Sequence, residues 1–286
     1  MKIALLSDVH GNLPALQAVL DDLDDFHPDV LAVAGDLTGG PHSNEVIQLL
    51  RERDAVMILG NTDLVLLRYI RGEVPQEWQS SKQFGLLRWN VRNLSAMNRQ
   101  ILFELPEQRV VNLPGVDPVH LVHGTPRDPY ESIYPDLDLS ILDLSLQSID
   151  QPVLVCGHTH EQWTLRRNGK LAVNPGSVAG PLNGVIGAQY SRMVWMDQQW
   201  QVELLTVPYD LAPLKIAFSE SGLLQEGGSI ARAFLLSHQT GRNVGLDFLT
   251  YAFQLSEEAG FKDCQVLPDE IYDRAEATFS WETYQA

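Results

Sequence analysis

The chain has 286 residues, of which 44% are hydrophobic and 20% are charged. A chain of this length buries roughly three quarters of the surface that it exposes when unfolded, so it can form one large α/β domain with attachments or two small domains. Its 37 acidic and 20 basic residues give a formal charge of −17. That charge disfavours stable binding to nucleic acid, but it permits small phosphorylated molecules where a bound metal inverts the local field.

The sequence also bears on the compartment. No apolar run approaches the ~18 residues needed to span a bilayer, and the first eight residues reach a polar motif too soon for a signal peptide. Two cysteines, Cys156 and Cys264, are too few for a disulfide framework. We therefore expect a cytoplasmic protein without membrane contact, in which Cys156 packs in the core.

The beginning of the chain alternates between apolar runs and helical patterns. Strands are predicted at residues 3–6, 30–34 and 55–59, and helices begin at Pro14 and Ser43. This alternation predicts a parallel sheet with right-handed crossovers.

Residues 64–117 interrupt the alternation, and we expect a helical insertion there. Helical patterns surround residues 86–89 and 101–103, with Ser95 as a cap and Pro106 as a stop. The predicted elements that follow are a helix at 139–149 and short strands at 110–111, 119–122, 153–156, 163–166, 171–173, 193–196 and 202–207. These strands predict a second sheet packed on the first.

The last part of the chain differs in composition. Residues 211–218 and 230–252 have helical patterns, and residues 257–286 contain eight acidic and two basic residues, which favours a solvated surface or a loose tail. We expect a domain at 1–207 and an accessory C-terminal helical extension with an acidic tail at 208–286, because the latter contains no cluster of metal-ligand type.

Polar side chains with metal-binding capacity follow five of the predicted strands. They are Asp8, His10, Asp36, Asn61, His123, His158 and His160. Ligands of open α/β sheets bind outside the carboxyl ends of the strands, so all seven should meet at one edge. Nitrogen and oxygen donors suit divalent Mn, Fe, Zn or Ni, and the lack of thiolates disfavours a closed structural zinc site. The other histidines lack this context and are interpreted as structural: His27, His42, His120 and His238.

Together, these motifs resemble those of the calcineurin-like metallophosphoesterase family. In order they are Asp8-x-His10, Gly35-Asp36, Gly60-Asn61-x-Asp63, His123-Gly124 and Gly157-His158-Thr159-His160. The resemblance covers about residues 1–207, includes Asn174-Pro175-Gly176-Ser177, and points to the longer bacterial, phosphodiesterase-like branch. It implies an α/β fold, a four-layer α/β/β/α sandwich, which agrees with the two predicted sheets.

The resemblance also implies two divalent metal ions bridged by Asp36. Asp8, His10 and His160 would complete the first site, and Asn61, His123 and His158 the second; of these, we expect Asp36, Asn61 and His123 to act in catalysis. Two dications about 3.5–4 Å apart repel each other, so a shared carboxylate belongs between them, and they activate water as the nucleophile. We favour manganese, with iron, zinc, nickel and magnesium as alternatives.

One position departs from the family pattern. Many relatives have a histidine after the Gly-Asn motif that is thought to protonate the leaving group, whereas this chain has Thr62. A hydroxyl is far too weak an acid for that task, and the loss of a general acid costs roughly 10²–10⁴-fold on poor leaving groups. Stable anionic leaving groups such as nucleotide phosphates suffer least.

We therefore predict a binuclear metal-dependent phosphoesterase that hydrolyses small phosphodiesters or nucleotide phosphoanhydrides by metal-activated water. The alternatives are a phosphomonoesterase or phosphoprotein phosphatase, and a non-catalytic scaffold of the same fold. A scaffold is disfavoured because all seven ligand positions are present. The partner is expected to be a small, nucleotide-like phosphorylated substrate, and a homo-oligomer is left open.

Two further residues are candidates for binding the substrate. Asn12 and Arg127 follow ligand positions closely and could reach a phosphate group, which an arginine binds in bidentate fashion. A salt bridge with Asp128 or another neighbour is the alternative for Arg127. Trp78 and Trp89 could line a base-binding wall, but helix packing is the favoured interpretation for both.

Overall fold

A computed structural model describes residues 1–284. These residues form ten strands: β1 (Lys2–Leu6), β2 (Val30–Val33), β3 (Val56–Met57), β4 (Gln108–Val111), β5 (Val119–Val122), β6 (Val153–Val155), β7 (Gln162–Arg167), β8 (Lys170–Pro175), β9 (Ala188–Met196) and β10 (Gln199–Val207). They also form ten α-helices: α1 (Leu13–Leu23), α2 (Ser43–Glu52), α3 (Asn61–Arg71), α4 (Gly85–Asn93), α5 (Ala96–Glu104), α6 (Ser140–Gln147), α7 (Ala212–Glu220), α8 (Leu223–Thr240, interrupted at Gly228), α9 (Val244–Glu258) and α10 (Asp269–Thr278).

The strands form two five-stranded mixed sheets. The first has the order β10-β9-β1-β2-β3, and the second has the order β4-β5-β6-β8-β7. Strands β1, β2 and β3 are parallel, as are β5, β6 and β8. The parallel strands form the middle of each sheet except for β3 at an edge, so their carboxyl ends lie together, as the sequence predicts.

The alternation of side chains along β1 shows how the layers are built. Ile3 and Leu5 face the second sheet and pack in a shared core with Val119 and Leu121 of β5. Ala4 and Leu6 point the opposite way, because successive strand residues face opposite sides. They pack beneath α1 and α2, while α6 covers the outer face of the second sheet. This arrangement confirms the four-layer α/β/β/α sandwich.

The insertion has different bounds from those expected. Helix α3 begins at Asn61, before the predicted insertion of 64–117, and β4 at its end belongs to the second sheet. Trp89 of α4 is buried against Phe218 and Leu223 of the C-terminal helices, and Trp78 stacks on Phe84 with 4.1 Å between the ring centroids. Helix packing, rather than a base-binding wall, therefore explains both tryptophans.

The C-terminal extension corrects one expectation and decides between two others. The predicted helix at 230–252 is divided between α8 and α9, because Gly241 ends α8 in a left-handed conformation and Asn243 caps α9. The acidic segment, for which a solvated surface and a loose tail were both left open, contains α10. Tyr272 and Trp281 are buried there against Phe248 of α9, so the acidic residues occupy the outer face of a packed element. Among residues 1–284, no helix has the length and apolar character needed to cross a membrane.

Candidate metal centre

All seven residues predicted as ligands meet where the two sheets adjoin. Each follows the carboxyl end of a parallel strand: Asp8 and His10 after β1, Asp36 after β2, Asn61 after β3, His123 after β5, and His158 and His160 after β6. Six of the seven are charged or ionisable, and most are buried. The strand order therefore converts five separated sequence motifs into one cluster.

The backbone at this cluster is strained. Positive φ angles between 43° and 68° occur at five of the seven ligand candidates: Asp8, His10, Asp36, His158 and His160. A residue with a Cβ atom adopts this left-handed conformation at a cost, and such residues concentrate at functional sites. These five strained positions coincide with side chains that meet in the cluster.

Two glycines allow the motifs to approach each other. A Cβ atom at Gly60 would collide with the backbone nitrogen and the carboxylate of Asp36, and one at Gly157 would collide with Ser7 and Asp8. The glycines of the Gly-Asn and Gly-His motifs are therefore needed for close packing between strand ends.

The first group of donors consists of Asp8, His10 and His160, whose donor atoms all lie within 4.8 Å of one another. The Nε2 atoms of His10 and His160 face each other at 3.2 Å. Asp8 Oδ1 lies 3.3 Å from His160 Nε2 and is buried without a hydrogen-bond partner. A buried carboxylate oxygen without a partner is costly, and a cation at this point would satisfy it.

The second group surrounds Asn61. Its Oδ1 atom lies 2.8 Å from His123 Nε2 and 2.8 Å from His158 Nδ1. Between the two groups stands Asp36, whose Oδ2 is 3.4 Å from His10 Nε2 and 3.6 Å from His123 Nε2. Asp36 Oδ2 thus lies within 3.6 Å of an imidazole from each donor group.

Backbone carbonyls orient the imidazoles. The Nδ1–H groups of His10, His123 and His160 donate to the carbonyl oxygens of Thr38, Ala34 and Gly180, respectively. His158 is reversed, with Nε2 donating to Tyr130 O at 3.1 Å. In each ring the nitrogen left without a proton faces the cluster, which is the arrangement that metal-binding histidines adopt. These carbonyls have no side-chain signal, so the sequence could not reveal them.

The ionisation of Asp8, His10 and His158 also suits a cation. Burial would raise the pKa of Asp8, but the imidazoles of His160, His123 and His10 outweigh it and hold the pKa well below its usual range. Burial lowers the pKa of His10 and of His158, whereas the nearby carboxylates outweigh burial at His123 and His160 and raise the pKa of both rings. An ionised carboxylate and a neutral imidazole are the forms that bind metals. The facing lone pairs, the partnerless Asp8 oxygen and the set of nitrogen and oxygen donors all fit divalent metal ions.

Comparison with known proteins agrees with this geometry. Residues 1–194, more than half of the chain, match the family model of the calcineurin-like phosphoesterase superfamily domain. The protein belongs to this family. It is therefore a metal-dependent phosphoesterase, and the family resemblance predicted from the motifs is confirmed.

Individual relatives extend the likeness beyond the matched domain. An uncharacterized protein of Methanocaldococcus jannaschii, MJ0912, is 26% identical over 227 residues, which cover 73% of this chain and 88% of the relative. The crystal structure of a metallophosphoesterase from Sphaerobacter thermophilus superposes with a TM-score of 0.68 at 28% identity, covering 84% of this chain and 99% of that one. A hypothetical protein of Pyrococcus horikoshii, PH1004, shares the fold with a TM-score of 0.67 at 21% identity, over 80% of this chain and 97% of that one.

In this phosphoesterase, Thr62 contacts the shared carboxylate. Its backbone N–H donates to Asp36 Oδ1 at 2.8 Å, and its hydroxyl donates to Asp36 Oδ2 at 2.9 Å. Asp63 accepts hydrogen bonds from the backbone of Leu37, Thr38 and Gly60. Burial and the nearby charge of Asp36 raise the pKa of Asp63 to about 6. Through these hydrogen bonds, Asp63 links the loops that follow β2 and β3.

The Asn174–Ser177 motif forms hydrogen bonds with two of the loops that contain candidate ligands. Asn174 Nδ2 donates to Gly157 O and Thr159 Oγ1 at 2.9 and 3.0 Å. Ser177 Oγ donates to Asp8 O at 2.9 Å. The motif therefore links the end of β8 to the loops that follow β1 and β6.

The two predicted substrate residues lie in different settings. Asn12 is buried; its Oδ1 accepts from Ala15 N at the start of α1, and its amide donates to Ala179 O and Tyr209 Oη. Both amide N–H groups of Asn12 are therefore engaged within the protein, Asn12 caps α1 through Oδ1, and its predicted substrate contact stays a prediction. Arg127 forms a salt bridge with Glu131 at 2.5 Å, which agrees with the alternative of a salt bridge to a neighbouring residue. Its predicted substrate contact stays a prediction.

The C-terminal extension contacts the metal centre, which the sequence did not suggest. Phe234 of α8 packs edge-on against His10, with 5.3 Å between the ring centroids. His238, one turn later, is buried beside Phe234, and burial lowers its pKa to about 3. The interpretation of His238 as a structural residue fits this neutral, packed ring.

Proposed function

We propose that the protein is a binuclear metal-dependent phosphoesterase that hydrolyses small phosphodiesters or nucleotide phosphoanhydrides. The main support is the position of Asp36 Oδ2 within 3.6 Å of an imidazole from each donor group. Asp8, His10 and His160 would hold one ion, and Asn61, His123 and His158 would hold the other. Asp36 would bridge the two ions.

The residues present have defined tasks in this reaction. Bound metal ions supply a water of lowered pKa and neutralise the phosphoryl oxygens. The histidines present unprotonated nitrogens to the ions because the backbone carbonyls hold the opposite N–H groups. Asn61 and His123 would hold the second ion, and Asp36 would contribute its carboxylate to both ions. We favour manganese, with iron, zinc, nickel and magnesium as alternatives, because mixed nitrogen and oxygen donors suit divalent ions of this group.

The proton donor for the leaving group is the main question of specificity. The Thr62 hydroxyl donates to Asp36, so it cannot also donate to a leaving group. An enzyme without a general acid depends on leaving groups that depart as stable anions. This dependence supports diester or anhydride substrates over alkyl phosphomonoesters.

The two free cysteines favour a reducing compartment such as the cytoplasm.

A leaving-group series with elemental analysis tests the proposal. Protein reconstituted with manganese should contain two ions per chain, and its turnover should rise steeply with the acidity of the leaving group. Aryl diesters and nucleotide anhydrides should react well, and simple alkyl monoesters poorly. One ion per chain would contradict the binuclear site. A turnover that does not depend on leaving-group acidity has two explanations, a proton donor or slow product release, and slow release produces a pre-steady-state burst. A flat dependence without a burst would therefore contradict the absence of a proton donor.

A further inference from the structure

A cavity of about 180 Å³ opens beside the metal centre, between α3 and α4. We call it the α3–α4 pocket. Its main lining residues are Thr62, Val65, Leu66, Leu86, Leu87 and Asn90. Asn61 also lines the cavity, and its Oδ1 faces His123 and His158, so the cavity and the metal centre share this residue.

The walls of the α3–α4 pocket are apolar because its polar groups are already engaged. The Thr62 hydroxyl donates to Asp36, and the Thr38 hydroxyl donates to Asp63 at 2.7 Å. Asn90 Nδ2 donates to Gly39 O and Leu86 O at 3.2 and 2.9 Å. A polar group entering this cavity would lose water without gaining these partners, which is unfavourable.

We propose that the α3–α4 pocket binds a small apolar alkyl or aryl substituent of the substrate, while the phosphoryl group lies at the metal centre. This inference rests on the proposed function. Sites for drug-sized ligands usually measure about 300–1,000 Å³, so a cavity of about 180 Å³ fits a small substituent and not a whole nucleoside. The substrate class is thereby narrowed to phosphoesters with a compact hydrophobic group.

Phosphonates provide a direct test, because each has a single substituent and binds without turnover. The dissociation constants of methyl-, propyl- and phenylphosphonate are measured by calorimetry on the full chain loaded with manganese. Each buried methylene should tighten binding roughly fourfold, so propylphosphonate should bind about 15-fold more tightly than methylphosphonate, and phenylphosphonate more tightly still. Thymidine 5′-monophosphate, with a larger polar substituent, should bind no better than methylphosphonate.

Two variants of the pocket should change this preference in opposite directions. Val65→Phe fills the cavity and should bring the affinities for propyl- and methylphosphonate within twofold of each other. Leu87→Ala enlarges it and should favour phenylphosphonate further. Val74→Phe is the matched control, because Val74 lies in the same insertion but does not line the cavity, and it should retain the wild-type preference.

The outcomes separate this inference from the proposed function. If wild-type protein binds all three phosphonates equally, or if Val65→Phe keeps the wild-type preference, the apolar pocket inference is overturned and the phosphoesterase proposal stands. Tighter binding of thymidine 5′-monophosphate than of phenylphosphonate also overturns it, in favour of a nucleoside site. If no phosphonate binds in a metal-dependent way and no ester is hydrolysed, both proposals fail.

Discussion

The contact between Thr62 and the bridging carboxylate gives the sharpest single-residue prediction. The Thr62→Val substitution removes the hydroxyl that donates to Asp36 Oδ2 at 2.9 Å. It keeps the branched Cβ and the backbone N–H that donates to Asp36 Oδ1 at 2.8 Å. The change therefore isolates one hydrogen bond to one oxygen of the shared carboxylate.

The size of the effect follows from the charge of the acceptor. A hydrogen bond to a charged group contributes about 1.5–3 kcal/mol, which corresponds to roughly 10- to 150-fold in an equilibrium constant. Loss of residues that orient metal ligands typically costs about 10–100-fold in metal affinity. We therefore expect Thr62→Val to weaken manganese binding by about 10–100-fold, because Asp36 would be less firmly held between the two donor groups.

Calorimetric titration of the metal-free full chain with manganese measures this effect directly. Thr62→Ser should restore most of the affinity, since serine retains a hydroxyl at the same position. Thr164→Val, at an exposed position of β7, controls for the substitution itself. Metal affinities of Thr62→Val and wild type within twofold of each other would show that the hydroxyl does not position Asp36, and the reasoning would be refuted.

Three other changes test the remaining parts of the site. Asp36→Asn should reduce manganese by elemental analysis from two ions per chain to fewer than one, because both ions lose the shared anion; unchanged stoichiometry would contradict the bridge. Phe234→Ala should weaken metal binding up to about tenfold, since an edge-to-face contact contributes about 0.5–1.5 kcal/mol. The control Phe261→Ala, at an exposed position, should leave metal affinity unchanged. Equal metal affinities of Phe234→Ala and wild type would show that α8 does not support His10. Thr62→His should raise turnover of alkyl esters selectively, by up to about 10²-fold if the imidazole reaches the leaving group; a uniform loss across the leaving-group series would count against it.

The sequence by itself predicted the order of the core and which side chains would lie together at the candidate metal centre. Apolar runs followed directly by Asp, Asn or His identify strand ends, and the carboxyl ends of parallel strands share an edge. Asp8, Asp36 and His123 could therefore be placed together before any distance was known. The glycines beside them gave the same indication, because motifs that approach closely need a residue without a side chain.

Other features depended on the tertiary structure because they involve residues far apart in the chain or groups without a side-chain signal. The backbone carbonyls that orient the histidines exist at every residue, so no pattern singles out Thr38 O or Gly180 O. The charge of the last segment predicted a solvated surface or a loose tail and left the two open, because average charge conceals a buried face: Tyr272 and Trp281 point inward while the acidic residues of α10 point outward.

The contacts of Thr62 and of the C-terminal extension with the metal centre likewise could not be predicted from the sequence. The sequence indicated what Thr62 lacks as an acid, but its hydrogen bond to Asp36 spans 26 residues and depends on the packing of β2 against β3. Phe234 reaches His10 across more than 200 residues, through the docking of α8 on the core. Local patterns determine which elements form and which chemistry they contain. The contacts that orient that chemistry depend on how distant elements pack, because each such contact requires both partners to be fixed in space.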